Sequence, residues 1–263
     1  MQAFTYQTPS SLAAAAAALK ADGARLVAGG QSLLPSMKLG LAAPESLVDL
    51  GTVAELQGIA VAGGAVRIGA MTRHADVAAH AEVRRAIPAL ADLAGNIGDR
   101  QVRNRGTIGG SLANNDPAAC YPAAVLGLGA TVHTDRRTIA ADAFFEGLYE
   151  TALAEGEIIT AVSFPVPEKA AWIKFKQPAS RFSLVGVFVS KGPQGVRVAV
   201  TGAGPCVFRA SALEAKLASS WSAAALAGTT VSADGLNSDL HGSAEYRAAL
   251  IPVLAARAVA AAG

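Results

Sequence analysis

Two glycine doublets, each followed by hydroxyl-bearing residues, limit this chain more than any other feature. They are Ala28-Gly29-Gly30-Gln31-Ser32 and Thr107-Ile108-Gly109-Gly110-Ser111. With no side chain at two successive positions, a backbone bends sharply and brings its N–H groups close to whatever lies beside it. The neighbouring Ser and Thr hydroxyls add donors. Such a set suits a diphosphate, which takes many short charge-assisted hydrogen bonds. A single Gly-Gly chiefly marks a turn, but two with the same flanking chemistry point to two walls of one nucleotide cleft. A third doublet, Gly63-Gly64, lacks hydroxyl neighbours and reads as the turn of a hairpin between Ile59-Ala60-Val61 and Val66-Arg67-Ile68.

Other nucleotide devices are excluded by spacing. Gly127-Leu128-Gly129 ends a helical run and lacks the third glycine of a dinucleotide fingerprint, and no Gly-Lys-Ser/Thr closes a glycine turn as in a P-loop. Cys120 and Cys206 lie far apart without metal or redox spacing and cannot ligate an iron–sulfur cluster. The histidines, at 74, 80, 133 and 241, are scattered, which argues against a zinc site. A net charge of +2 is too small to imply nucleic acid or an anionic membrane as partner. Met1 to Tyr6 lacks the basic and apolar regions of a signal peptide, and the alanine run Ala13–Ala18 is too short to span a bilayer. The expectation is a soluble cytoplasmic protein without membrane insertion. Hydrophobic residues make up 52% and charged ones 16%. The surface is therefore poor in charge, through either an alanine-rich composition or cover by partner subunits.

The pattern predicts a helix opening at Pro9-Ser10-Ser11 and running through Lys20, because Ser caps and Ala favours helix. Strands are expected at Arg25–Val27 and Ser46–Leu50, and a mostly helical stretch from Thr72 to Gln101. A helix from Pro117 to Leu126 and strands at Ala130–Thr134 and Ile158–Phe164 follow. Pro165-Val166-Pro167-Glu168-Lys169 reads as a linker. Beyond it Trp172–Lys176, Leu184–Ser190 and Val196–Thr201 read as consecutive strands, with helical segments from Arg209 onward. The fold class is therefore α+β in two units: 1–166, with lobes of roughly 1–56 and 57–166, and a small α+β unit, 167–263, of antiparallel sheet plus helices.

The segment Ala28-Gly29-Gly30-Gln31-Ser32-Leu33-Leu34-Pro35-Ser36-Met37-Lys38-Leu39 resembles the first signature of the FAD-binding medium subunit of the molybdenum hydroxylases. Carbon monoxide dehydrogenase, xanthine dehydrogenase and the N-heterocycle hydroxylases form that group. The second signature resembles Ile97 to Ala119, and the likeness continues through Phe144-Phe145, Glu157-Ile158-Ile159, Phe175-Lys176 and Thr201-Gly202-Ala203-Gly204-Pro205. It implies a two-lobed FAD-binding domain of the PCMH (vanillyl-alcohol-oxidase-like) type. It implies that Leu26, Val27, Ala28, Gly29, Gly30, Gln31, Ser32 and Leu33, with Thr107, Ile108, Gly109, Gly110 and Ser111, hold the FAD diphosphate and adjoining sugar. Ile97, Ile159 and Lys176 match further family contacts to the cofactor, and Phe182 falls where some relatives stack an aromatic ring on the isoalloxazine. Where the family pattern continues after Asp-Pro-Ala-Ala with an aspartate that contacts FAD, this chain has Cys120. A thiol is a weaker donor and acceptor, so either Asn114 or Asp116 compensates or the cofactor is held more loosely.

The function implied is an electron-transfer subunit with no catalytic side chain and no metal of its own. It would take electrons from an iron–sulfur small subunit and pass them to an external electron acceptor, while a molybdenum-binding large subunit carries the molybdenum cofactor. Likeness to the family suggests a heterotrimer doubled into a heterohexamer. Two rival readings stay open: a self-contained FAD-dependent oxidoreductase of the same binding fold, and a non-catalytic scaffold subunit with a vestigial cleft. Arg100, Arg103 and Arg105 either steer phosphates or a partner, or form a solvated helix face.

Overall fold

The computed structural model describes residues 2–263; Met1, where the reading of the amino terminus begins, lies outside the described residues. The chain starts with a small parallel sheet. β1 (Thr5–Gln7), α1 (Leu12–Ala18), β2 (Ala24–Val27), α2 (Leu33–Lys38) and β3 (Ser46–Asp49) follow in turn, with strand order β1-β3-β2. The Ser11 hydroxyl accepts from Ala14 N and so caps α1, as the sequence leads one to expect.

A second, antiparallel sheet begins with the hairpin β4 (Ile59–Ala62) and β5 (Ala65–Gly69). A run of short helices intervenes: α3 (His74–Ala79), α4 (Ala81–Ala86), α5 (Pro88–Gly95), α6 (Arg100–Arg105), α7 (Ile108–Asn114) and α8 (Tyr121–Gly127). Then come β6 (Thr131–Thr134), β7 (Thr138–Ala140), the small hairpin β8 (Phe145–Gly147) and β9 (Glu150–Thr151), and β10 (Ile159–Pro165). The strand order β4-β5-β10-β6-β7 places β10 at the centre. The main core forms between this sheet and the helices, from residues such as Ile68, Leu90, Leu93, Ile108, Leu112, Val125, Val132 and Phe164.

The third sheet runs in chain order: β11 (Lys169–Lys176), β12 (Ser183–Gly192), β13 (Gly195–Thr201) and β14 (Phe208–Arg209), all antiparallel. α9 (Ser211–Ser219) and α10 (Ala244–Ala262) complete this unit. Because side chains alternate along a strand, Val185, Val187 and Val189 of β12 join the core with Leu213, Ile251 and Leu254 from these helices. Phe188, of opposite parity, joins the first core instead and packs so closely on Gly127 that a Cβ there would lie 2.8 Å from its ring. β12 is thus buried on both faces from Ser183 to Ser190.

Three expectations change. The second glycine doublet lies within a helix, because Thr107 caps it and Gly109 packs tightly against Ala70, just past the end of β5. Residues 117–120 form a turn, and α8 starts only at Tyr121, with Pro122 in its first turn where a missing N–H costs nothing. The stretch between α9 and α10 holds only a 3-10 turn at Ala223–Leu226. Part of it is organised by Arg247 of α10, which is buried and donates to Leu184 O, Gly202 O and the Asp239 carboxylate. β1, β7, β8, β9 and β14 are too short to leave a readable pattern.

Polar contacts also join the third sheet to α8 and to the 3-10 turn Ala141–Ala143. The buried Arg197 of β13 donates to Leu126 O at 3.0 Å and to both oxygens of Asp142 at 3.0 and 2.7 Å. Arg197 holds the Asp142 carboxyl below the usual carboxylate range. Replacing Asp142 with Ala leaves a buried guanidinium short of its acceptor and is expected to cost about 2 kcal/mol. The midpoint of urea unfolding checks this; Asp142→Asn should recover part of the loss.

Candidate functional site

β2 delivers the chain into the first bend, and the two glycine signatures meet there. An added Cβ on Gly29 would lie 2.2 Å from the Arg105 carbonyl oxygen and 2.6 Å from Gly106 Cα, so the bends touch main chain to main chain. Gly30 has a φ of +67°, which a side-chain-bearing residue rarely adopts. The N–H groups of Gly29, Gly30, Gln31 and Ser32 have no protein acceptor among the described residues. The Ser32 side chain at the start of α2 is exposed and makes no capping bond. Val27 and Leu33 pack with Met37 and Leu47, and Leu26 packs with the Val48 cluster, so these residues support the bend from below.

The second bend differs from the expectation of bare amides. Ile108 N donates to Thr72 O, Gly109 N to Ala70 O, Gly110 N to Thr107 Oγ1 and Ser111 N to Thr107 O. Its amides are therefore engaged, and the groups it can offer are the hydroxyls of Thr107 and Ser111. A Cβ on Gly110 would meet Thr107 Oγ1 at 3.0 Å and Ala28 Cβ at 3.5 Å, across from the first bend. Arg103 donates to Ile97 O and Gly98 O, bracing the turn between α5 and α6, while Arg100 and Arg105 are exposed.

Beyond α7 the chain carries Asn114, half-buried, and then Asn115, a buried left-handed residue whose Nδ2 donates to Gly147 O and Glu150 O. Asp116 accepts from Ala118 N. Its presence beside Tyr149, together with burial as the larger cause, raises that phenol's pKa. Cys120 is buried, with its Sγ 3.4 Å from Ser183 Oγ and 3.3 Å from Lys174 Nζ. Its polar contacts thus come from β11 and β12, and not from Asn114 or Asp116. Lys174 Nζ also donates to Asn96 O at 3.1 Å, and Lys176 Nζ to Asn96 Oδ1 at 2.7 Å.

Ile97 follows Asn96 and is half-buried. Phe182, at the tip of the β11–β12 hairpin, packs edge-on to His241 with ring centres 5.2 Å apart. A groove of about 420 Å³ lies between this tip (Ala179, Ser180, Arg181) and Gly98, Asp99 and Val102. Ile159 stands apart: it is buried in the main core and paired with Thr134. Asn96, Lys174 and Ser183 escaped the sequence reading. The one available signal was the spacing of Lys174 and Lys176, which puts both on one face of a strand.

His74 was also missed. A Cβ on Gly106 would lie 2.5 Å from its Nε2, so the imidazole backs the entry to the second bend. Its Nδ1 and the hydroxyl of Tyr121, whose ring centre is 5.3 Å away, have no partner among the described residues. Burial, helped by nearby Arg103, pushes its pKa down from 6.5 to about 4.

Comparison with known proteins defines the class. Residues 2–167 match the family described as FAD binding domain in molybdopterin dehydrogenase. The nicotine 6-hydroxylase medium subunit of Paenarthrobacter nicotinovorans is 37% identical over 278 residues, covering 100% of this chain and 98% of that one. The carbon monoxide dehydrogenase medium chain of Hydrogenophaga pseudoflava is 36% identical over 279 residues, covering 98% and 96%. The structure of quinoline 2-oxidoreductase from Pseudomonas putida 86 superimposes with a TM-score of 0.89 at 31% identity, covering 99% of this chain and 97% of that one. The chain belongs to this FAD-binding family of the molybdopterin dehydrogenases. It is an oxidoreductase flavoprotein of the medium-subunit type, with the PCMH-type fold followed by a small α+β unit. Among the described residues, no helix is long and apolar enough to cross a membrane.

A lowered histidine pKa means that the unfolded chain binds the extra proton first, so stability falls with falling pH between about 6.5 and 4. The loss attributable to His74 is on the order of 3 kcal/mol by the bottom of that window. Glu157, held down to about 2 chiefly by Arg137, loses its contribution only below its ordinary value of 4.5. Thermal melts of wild type and His74→Gln at pH 7.5 and pH 5 test this. The wild type should lose several degrees more than the variant over that interval.

Proposed function

We propose that this chain is the FAD-carrying electron-transfer subunit of a multi-subunit molybdenum hydroxylase or dehydrogenase. The observation that carries the reading is the open row of amides from Gly29 to Ser32, held in main-chain contact with the second glycine signature. These residues fit a dinucleotide diphosphate: the first bend offers unengaged N–H donors, a positive-φ glycine and the exposed Ser32 hydroxyl, and the second bend beside it carries the hydroxyls of Thr107 and Ser111. Bound FAD supplies the one- and two-electron redox chemistry, and the protein supplies position and electrostatics. In this assignment the first bend binds the diphosphate and the second forms the opposing wall. Ile97, Lys176, Phe182 and the Cys120 region lie toward the flavin ring, and Asn114 and Asp116 along the segment between. Ile159 takes part through the core that supports the cleft rather than by direct contact.

The function further assigns this chain a cytoplasmic place beside two partners. Electrons arrive from an iron–sulfur small subunit, the substrate is oxidised at the molybdenum cofactor of a large subunit, and an external acceptor removes the electron pair. The division at residue 166, between a flavin-gripping unit and a unit that closes over the ring, belongs to the same proposal, as does assembly as a doubled heterotrimer. The nicotine, carbon monoxide and quinoline enzymes named above support the class and leave the substrate open.

The test is purification of the full chain with and without its partner chains. A flavin spectrum should accompany the chain in both cases, while substrate turnover should need the partners. Gly110→Val, whose Cβ would crowd Thr107 Oγ1 at 3.0 Å and face Ala28 Cβ at 3.5 Å, should weaken FAD binding at least tenfold. Stoichiometric FAD in both Gly110→Val and Gly30→Val would refute the assignment. Bleaching of the isolated chain's flavin by substrate would instead mark a self-contained oxidoreductase, and a colourless chain that still assembles would mark a scaffold.

A further inference from the structure

Strand β11 of the third sheet directs two lysines at one asparagine, the residue that ends α5. Lys174 and Lys176 are two positions apart, so they share a face of the strand. Lys174 Nζ lies 3.1 Å from Asn96 O and 3.3 Å from Cys120 Sγ. Lys176 Nζ lies 2.7 Å from Asn96 Oδ1. Asn96 in turn donates from Nδ2 to the main-chain and carboxylate oxygens of Asp92, each at 3.0 Å. Among the described residues, neither lysine has a carboxylate oxygen within 4 Å. The partners of the half-buried Lys174 include no carboxylate: they are a carbonyl oxygen and the Cys120 sulfur, which is itself backed by the fully buried Ser183.

An ammonium taken partly out of water and given only neutral acceptors loses hydration without a full Coulomb return. A ligand that gains negative charge beside it provides that return. The position is right for such a ligand on the reading just proposed, on which this inference rests. Asn96 immediately precedes Ile97, the 420 Å³ groove opens beside Gly98, and Cys120 ends the segment that starts at the second bend. Reduction of a flavin by two electrons with uptake of one proton leaves one net negative charge; the oxidised ring carries none.

We propose that Lys174 is an electrostatic residue of the flavin cleft, kept without a counter-charge by Asn96 and Cys120 so that it favours the reduced form of bound FAD. Cys120 is the positioning residue of this device. It holds the ammonium in place as a weak acceptor, whereas a carboxylate at the same point would neutralise it.

The experiment is spectroelectrochemical titration of the FAD-loaded full chain, or of its complex, together with the affinity for oxidised FAD. Lys174→Met and Cys120→Asp should each lower the preference for reduced over oxidised FAD by about tenfold, which is about 30 mV for a two-electron couple. Lys174→Arg and Cys120→Ser, which keep the charge pattern, should stay within threefold of wild type. Equal potentials in wild type, Lys174→Met and Cys120→Asp, all with FAD bound, would overturn the inference while leaving the flavin assignment intact. Failure of the wild type to bind FAD would overturn both. Should Lys174→Met fold poorly, the contrast of Cys120→Asp with Cys120→Ser decides alone.

Discussion

Main-chain contact between Gly29 and the Arg105–Gly106 peptide leaves no space for a Cβ, and much of what the cleft offers depends on that closeness. The bend after β2 and the turn between α6 and α7 approach as backbone, without side chains between them. The first bend keeps its amides open because its neighbours are glycine and short-chain residues rather than another strand. The second spends its amides on Thr72 and Ala70, and so becomes a rigid support. One bend is built to donate and the other to hold the first in place. Glycine therefore serves two purposes here: close approach at Gly29 and Gly109, and a positive φ at Gly30.

That asymmetry was not legible in the sequence, although both signatures were. Glycine and hydroxyl spacing reports that a backbone can come close to something, but not whether its amides already have partners. For the second bend the partners are supplied by the turn after β5, nearly forty residues upstream. The same limit explains why Thr107–Ser111 reads as a turn. Two adjacent glycines disfavour helix, and the cap from Thr107 together with packing on Ala70 overrides that preference. Elements with strong local signals were readable: the Ser11-capped alanine helix, the Gly63-Gly64 hairpin, and β11 to β13. The stretch before α10 was not, since its order comes from Arg247 reaching into the third sheet from a distant helix.

Cys120 shows how far a single departure can be followed. Sequence reasoning asks what replaces a carboxylate at that point and looks to its nearest polar neighbours, Asn114 and Asp116. Asp116 is engaged with Ala118 N. The contacts that Cys120 does make arrive from Lys174 and Ser183, more than fifty positions away. Strand alternation places Lys174 on the face toward the main core, and only the packing of the third sheet on the helices reveals that this face meets Cys120.

The joint between the third sheet and the helices α5 and α8 on which it packs has the construction of a core rather than of a hinge. β12 is buried on both faces, Phe188 is seated on Gly127, and Arg197 is held by Leu126 O and Asp142 across the junction. Moving the third sheet against those helices would expose apolar surface and unpair a buried guanidinium, each costly in water or without it. A packed joint fixes where side chains at its edge stand, and Asn96, Lys174 and Cys120 stand at that edge. The grip on a cofactor can thus rest on backbone in the amino-terminal region, which is indifferent to charge. Its electrostatics can rest on side chains of β11, where one substitution changes the charge without disturbing the grip.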